Sequence, residues 1–135
     1  MKTRQTGFTM IELIVVIVIL GVLAATALPK FIDLRSDAQA ASLSGVVGAA
    51  AAAHNINYSG CAVTNNVVTA SKCIKVSNCS DTTTLMQGGL PTGYTIAAAA
   101  LGTGAAGSNG VTATCTVTQT SGAATLTFLG VSAGN

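Results

Sequence analysis

The sequence predicts an α+β protein: a long N-terminal α-helix and a small antiparallel β-sheet head stapled by disulfides. Three observations carry that expectation. An apolar run, GFTMIELIVVIVILGVLAATALP at residues 7–29, stands near the start of the chain. A proline-free stretch with helical periodicity follows it. The remainder is rich in Gly and Thr, alternates with period two in places, and holds all four cysteines.

The apolar run comes first. From Phe8 to Leu28 it holds 21 residues, about 31 Å of helix at ~1.5 Å per residue, enough to cross a bilayer core. It contains one charge, Glu12. A lone carboxylate near the end of such a helix is costly in hydrocarbon, so it needs a partner or a route to the headgroups. The leader at residues 1–7, MKTRQTG, carries Lys2 and Arg4 and no acid, which assigns it to the cytoplasmic side. A conventional secretory signal is cut after its apolar stretch. Here the small residue, Gly7, precedes the stretch, so a cut at Gly7–Phe8 would leave residues 8–29 on the mature chain.

The short basic leader, Gly7 before Phe8, Glu12 and Pro29 together resemble the class III signal of type IV pilins, in a type IVa-like form. The next stretch, PKFIDLRSDAQAASLSGVVGA, is similar to pilins of the mannose-sensitive haemagglutinin (MSHA) group, and beyond Tyr58 the likeness thins. The resemblance implies the type IV pilin fold, cleavage after Gly7 by a prepilin peptidase, and N-methylation of Phe8. It implies a single-pass inner-membrane precursor that inner-membrane assembly machinery builds into an extracellular, homopolymeric filament. Physics then supplies a partner for Glu12. Cleavage leaves a charged amine on Phe8, and pairing it with Glu12 of another copy offsets much of the cost of burying either charge. Such a pair would also fix axial register.

Pro29 removes a backbone donor and crowds the preceding turn, and Gly21 adds a second weak point, so both are kink candidates. The helix is expected to continue through them, gently bent, in an isolated subunit; the resemblance implies that this part can lose helicity in a filament. Residues 30–59 form the amphipathic half, in which Phe31, Leu34, Ala38, Ala41, Gly45, Ala49, Ala52 and Ile56 recur at spacings of three and four. That narrow stripe suits packing against a sheet on one side and other helices on another. Lys30, Asp33, Arg35 and Asp37 read equally as a solvated face or as pairs between copies.

Periodicity stops near Tyr58–Gly60, and residues 60–135 are expected to form the head. It has few large apolar side chains and needs staples. Cys61, Cys73, Cys79 and Cys115 read as two disulfides made in an oxidising compartment; a zinc site is the rival, without its usual CxxC pairs. Of three connectivities, Cys73–Cys79 with Cys61–Cys115 is the expected one, closing one short local loop and tying the head's start to a later strand. Ser80–Asp81 reads as the N-cap of a short helix ending before Gly88–Gly89. Pro91–Gly93 turns into a strand at Tyr94–Ala100. Val111–Thr118 alternates, with Val111, Ala113, Cys115 and Val117 on one face and four threonines on the other; Ala124–Leu129 follows after a turn at Gln119–Ala123.

Composition narrows the function. Half the residues are hydrophobic, 7% are charged and the mean hydropathy is +0.63, values that fit an exported, assembled protein better than a freely soluble one. The formal charge of +2 comes from the leader, because Lys30, Arg35, Lys72 and Lys75 cancel Glu12, Asp33, Asp37 and Asp81. No basic footprint for nucleic acid exists. The one histidine, His54, lies in an alanine-rich stretch and reads as a packing or surface residue rather than a ligand. No Ser/His/Asp set, phosphate loop or carboxylate pair can be assembled, so no enzyme, cofactor or metal is expected. Asn57–Tyr58–Ser59 and Asn78–Cys79–Ser80 match the N-glycosylation pattern, and neither is assigned.

The leading function is a structural pilin subunit serving adhesion, surface attachment or motility. One alternative is a pseudopilin of type II secretion; the resemblance gives the commonest pseudopilin an acid-rich calcium loop, whereas this head has one acid, Asp81. Another is a membrane-anchored binding module that never polymerises, which leaves Gly7–Phe8 and Glu12 occurring together without a reason. The loops at Val63–Ala70 and Gly102–Gly110 are expected to face solvent, yet carry few anchors of the kind that dominate binding.

Overall fold

The computed structural model describes residues 7–105 and 107–135, without the side chains of residues 28–33. The expectations for Lys2 and Arg4, and for the side chains of Pro29, Lys30, Phe31 and Asp33, lie outside the described residues. The elements are α1 (Met10–Val63), a 3-10 turn (Cys79–Asp81), α2 (Thr82–Leu85), β1 (Tyr94–Ile96), β2 (Thr112–Gln119) and β3 (Thr125–Val131). The chain divides into two compact units, Met1–Ala38 and Gln39–Asn135, and α1 contributes residues to both.

In the first unit, helix is unbroken from Met10 onward and runs through positions 21 and 29. Its apolar segment, Met10–Ala27, is long and apolar enough to cross a membrane and is exposed throughout. One local device was not foreseen: the Thr26 hydroxyl donates to the carbonyls of Val22, at 3.3 Å, and Leu23, at 3.0 Å. Such back-bonding by Thr loosens the regular ladder and often bends helices. It lies between the two kink candidates.

In the second unit the strands form one antiparallel sheet in the order β1-β2-β3. Cys115 stands opposite Phe128, and Val117 lies between Ile96 and Leu126. Period-two alternation holds in the middle of β2, where Cys115 and Val117 are buried and Ala113 is half-buried, but Val111 is exposed and Gln119, expected in the following turn, is a buried strand residue. β1 is shorter than the expected Tyr94–Ala100. After Ala97 bonds to the Thr116 carbonyl, the chain leaves β2 and pairs with the segment after the second cysteine. Cys79 N–H donates to the Ala99 carbonyl at 2.8 Å, and Leu101 N–H to the Ser77 carbonyl at 2.7 Å.

The face of α1 that meets this sheet differs from the expected stripe. Leu34, Ala38, Ala41, Gly45, Ala49, Ala52 and Ile56 are all exposed, Ile56 at 73%. The buried positions are Leu43, Val47, Ala50, His54, Asn57 and Cys61, again spaced by four and three. Alanines occupy nearly every register here, so small-residue spacing alone fits more than one face. Leu43 and Val47, the larger side chains, decide which face is covered, packing with Val76, Cys79, Leu101, Cys115, Val117 and Phe128.

Three further expectations are corrected. The helix runs past residue 59 to Val63, because Ser59 keeps its hydroxyl on the Asn55 carbonyl and Gly60 is needed inside the helix for close approach to the Lys72 backbone. It ends where Asn65 and Asn66 adopt left-handed conformations and Asn66 N–H returns to the Cys61 carbonyl at 2.7 Å. The cap after the second cysteine is Asn78 rather than Ser80–Asp81: Asn78 Oδ1 accepts from Ser80 N–H, and Asp81 Oδ2 accepts from Asn78 N–H, a capping box. The disulfides are Cys61–Cys73, with Cα atoms 4.5 Å apart, and Cys79–Cys115, at 5.5 Å, not Cys73–Cys79 with Cys61–Cys115. The reason is topological. The longer helix carries Cys61 to a hairpin-like turn where Thr69 bridges Cys73, and the 3-10 turn sets Cys79 on the inner face of β2 beside Cys115.

Two tests follow from this packing. Peptide mapping under non-reducing conditions is expected to link Cys61 to Cys73 and Cys79 to Cys115, and replacing the second pair by alanines to cost about 2–5 kcal/mol in denaturant unfolding. Gly130→Ala is expected to destabilise by about 1–3 kcal/mol, since its Cβ would stand 2.6 Å from Cys115 Sγ and 3.2 Å from Leu101.

Candidate assembly site

The sequence singles out the start of α1, and the structure shows how that start is built. Thr9 is the residue before the helix, and its hydroxyl accepts from Glu12 N–H at 3.4 Å. Glu12 Oε2 in turn accepts from Thr9 N–H at 2.8 Å and from the Thr9 hydroxyl at 2.7 Å. This is a capping box, and it satisfies donors that the first turn of any helix leaves without partners. The signal was present in the sequence as Thr9-x-x-Glu12, but reading Glu12 only as a charge in an apolar run passed over it. The carboxylate therefore has a neighbour within its own chain, aimed back toward the end that bears Phe8.

Gly7 and Phe8 are exposed, Phe8 at 86%. Phe8, Ile11, Glu12, Val15 and Val16 line one shallow hollow of about 290 Å³. The structure thus gathers two of the predicted site residues, Phe8 and Glu12, at one apolar depression. Gly21 is exposed farther along the helix, with nothing near where a Cβ would point. The four cysteines belong to the other unit and are all consumed by disulfides.

Two polar residues in the second unit carry more than the sequence suggested. Asn57 donates through Nδ2 to the Ile74 carbonyl at 2.8 Å and accepts at Oδ1 from Ile74 N–H at 2.9 Å. Its amide takes the place of a strand partner for the Cys61–Cys73 loop. Asn57 is buried with both amide atoms engaged, so this glycosylation match has no accessible acceptor. The second match is likewise occupied, since Asn78 caps the 3-10 turn and Cys79 is in a disulfide. His54 is fully buried: Val131 N–H donates to Nδ1 at 3.1 Å, and Nε2 lies 2.8 Å from the Thr82 hydroxyl. That pair has the look of a base and a nucleophile, but both residues are at 0% exposure and cannot reach a substrate. Burial pushes the His54 imidazole below its ordinary range.

Comparison with known proteins bears on the same end of the chain. Residues 2–28 match the prokaryotic N-terminal methylation motif. The chain is 45% identical over 53 residues to the type IV narrow pilus major component PilA5 of Thermus thermophilus, covering 39% of this chain and 46% of that protein. It is 56% identical over 39 residues to the type IV major pilin protein PilE1 of Neisseria gonorrhoeae, covering 29% and 24%. It is 51% identical over 45 residues to the type IV major alpha-pilin of Moraxella bovis, covering 33% and 28%. The chain spans less than half the length of these relatives. No solved structure matches it significantly. The N-terminal segment matches the methylation motif and is similar to that of type IV pilins, and the long helix, three-stranded antiparallel sheet and two disulfides fit the type IV pilin fold.

Proposed function

We propose that the chain is a structural pilin subunit, not an enzyme, that assembles through α1 into a type IV pilus of the MSHA-like kind for adhesion, surface attachment or motility. A prepilin peptidase cuts between Gly7 and Phe8, and the new Phe8 amine is methylated. Before assembly the precursor sits in the inner membrane by a single pass of residues 8–29, and inner-membrane machinery adds it to the filament. The observation that carries this reading is the exposed apolar segment Met10–Ala27, which lies inside the methylation motif matched over residues 2–28. Such a surface needs lipid or other apolar helices around it.

Glu12 has a distinct part in this scheme. Within its own chain it caps the first turn, and between chains its carboxylate neutralises the Phe8 amine of a neighbour. Both charges are expensive in an apolar bundle when unpaired, so a subunit out of register is rejected. The exposed small stripe from Ala38 to Ile56 is left for neighbouring copies, where Ala and Gly permit close helix approach. Gly21 and Pro29 supply the compliance for α1 to adjust as it packs.

Electron microscopy and mass spectrometry of material sheared from cells test the reading. Filaments made mainly of a chain that begins at methylated Phe8 are expected. A processed chain that stays in the envelope without filaments would contradict it. Glu12→Ala is expected to leave cleavage intact while reducing filament yield severely; wild-type yield would remove the charge-pair role. Thr9→Ala tests the cap alone, and is expected to speed amide exchange in the first turn of α1 in micelles, with Thr9→Ser close to wild type.

A further inference from the structure

The most constrained polar group in the head is His54, and neither assembly nor processing uses it. It sits on the buried face of α1 with no exposure and is the sole histidine of the chain. Three hydrogen bonds run in series through it. Val131 N–H donates to Nδ1 at 3.1 Å, which leaves Nε2 as the ring's donor; Nε2 faces the Thr82 hydroxyl at 2.8 Å, and that hydroxyl donates to the Cys79 carbonyl at 2.6 Å. The ring stacks at a tilt on Phe128, with centroids 5.4 Å apart. One neutral imidazole therefore joins α1 to the end of β3, to the first residue of α2, and through Thr82 to the 3-10 turn that bears a disulfide.

We propose that His54 is an acid-sensitive latch, which as a neutral ring holds these elements on α1 and on protonation in mildly acidic surroundings releases them. The chemistry is a single proton added to Nδ1. That proton removes the acceptor of Val131 N–H and sets two N–H groups against each other. The Val131 carbonyl, 3.2 Å from Nδ1, can hydrogen-bond the new N–H, but the Val131 amide is then left unpaired and a full charge stands beside the Phe128 ring at a position without exposure. A buried donor without a partner costs about 1–3 kcal/mol, and an uncompensated charge more. On the elements packed against the ring, Asp81 is the one charged group, and its charge favours the protonated ring, though less than burial opposes it. Its carboxylate is already committed to Ser77 and Asn78 N–H groups, both at 2.9 Å. α2 and β3 carry no titratable side chain.

The consequence is directional. The unfolded ring protonates near its ordinary value of about 6.5, while burial keeps the folded ring neutral to lower pH. Below about 6.5 the unfolded state binds more protons, so stability is full above that pH and falls as pH drops toward the folded value. Release would begin at Val131, beyond which Ser132 and Ala133 hold the 102–110 loop and Val76. Acid would thus loosen the end of the chain and the loop together, without touching either disulfide.

A single histidine makes the test unambiguous. Nitrogen NMR of the full chain in detergent micelles, with labelled histidine, is expected to show the Nε2–H tautomer at neutral pH and a titration midpoint below 6.5. The thermal midpoint is expected to fall by several degrees between about pH 7 and about pH 5, and to stay level over that interval in His54→Gln. A midpoint at or above 6.5, an unchanged wild-type thermal midpoint, or an equal fall in His54→Gln would overturn the latch. Should His54→Gln fail to fold, the tautomer and midpoint of the wild-type ring decide the matter.

Discussion

The contact of one face of α1 with the sheet and loops, at the six positions from Leu43 to Cys61, is what the head is built around. Leu43, Val47 and Ala50 supply apolar burial, His54 and Asn57 supply directed hydrogen bonds, and Cys61 supplies a covalent link. The order matters because each kind of contact does something the others cannot. A fully buried Leu or Val contributes about 1.5–3 kcal/mol, and the head has few of them. A disulfide of this loop length contributes about as much as one or two such side chains. The hydrogen bonds add little net stability when made, but cost about 1–3 kcal/mol when a buried group is left unpaired. Burial and disulfides therefore make the head stable, and the polar pair makes a rotated helix unacceptable.

The N-terminal unit obeys a different solvent rule. Its segment Met10–Ala27 is strongly apolar, with Glu12 as its one charge, and is exposed throughout among the described residues. Backbone groups in hydrocarbon must be satisfied locally, and the Thr9–Glu12 box does this for the Thr9 and Glu12 N–H groups, which the helix ladder cannot reach. Glu12 is costly as a charge and useful as a cap. The same carboxylate can meet the cap in an isolated chain and a neighbour's amine in an assembly, since one carboxylate offers several acceptor sites.

How much of this was legible depends on the residue. The apolar run could be read directly, because length and composition alone carry it. The alternation of Thr112–Gln119 was equally plain, since period two leaves one way to place four threonines outside. The alanine-rich part of α1 was not. With Ala or Gly at most positions from Ala38 to Ala53, several stripes have the right spacing, and two of the buried positions that extend the Leu43–Val47 face, His54 and Asn57, are polar and drop out of a search for apolar faces. The disulfide partners followed from that error in part. Ending the helix near Gly60 detached Cys61 from it, whereas the extra turn presents Cys61 to the Thr69–Cys73 bridge. Glycine misled for a related reason: Gly60 looks like a stop, yet serves as the place where another backbone comes close.

If α1 is an assembly element, its apolar half is covered in the filament by copies of itself. A cryo-EM reconstruction of filaments from cells expressing this chain tests it most directly. Chains starting at Phe8 are expected, with Met10–Ala27 packed among the same segment of neighbours and each Glu12 carboxylate beside a Phe8 amine. Filaments in which Met10–Ala27 faces outward, or in which Glu12 has no cation near it, would contradict the account.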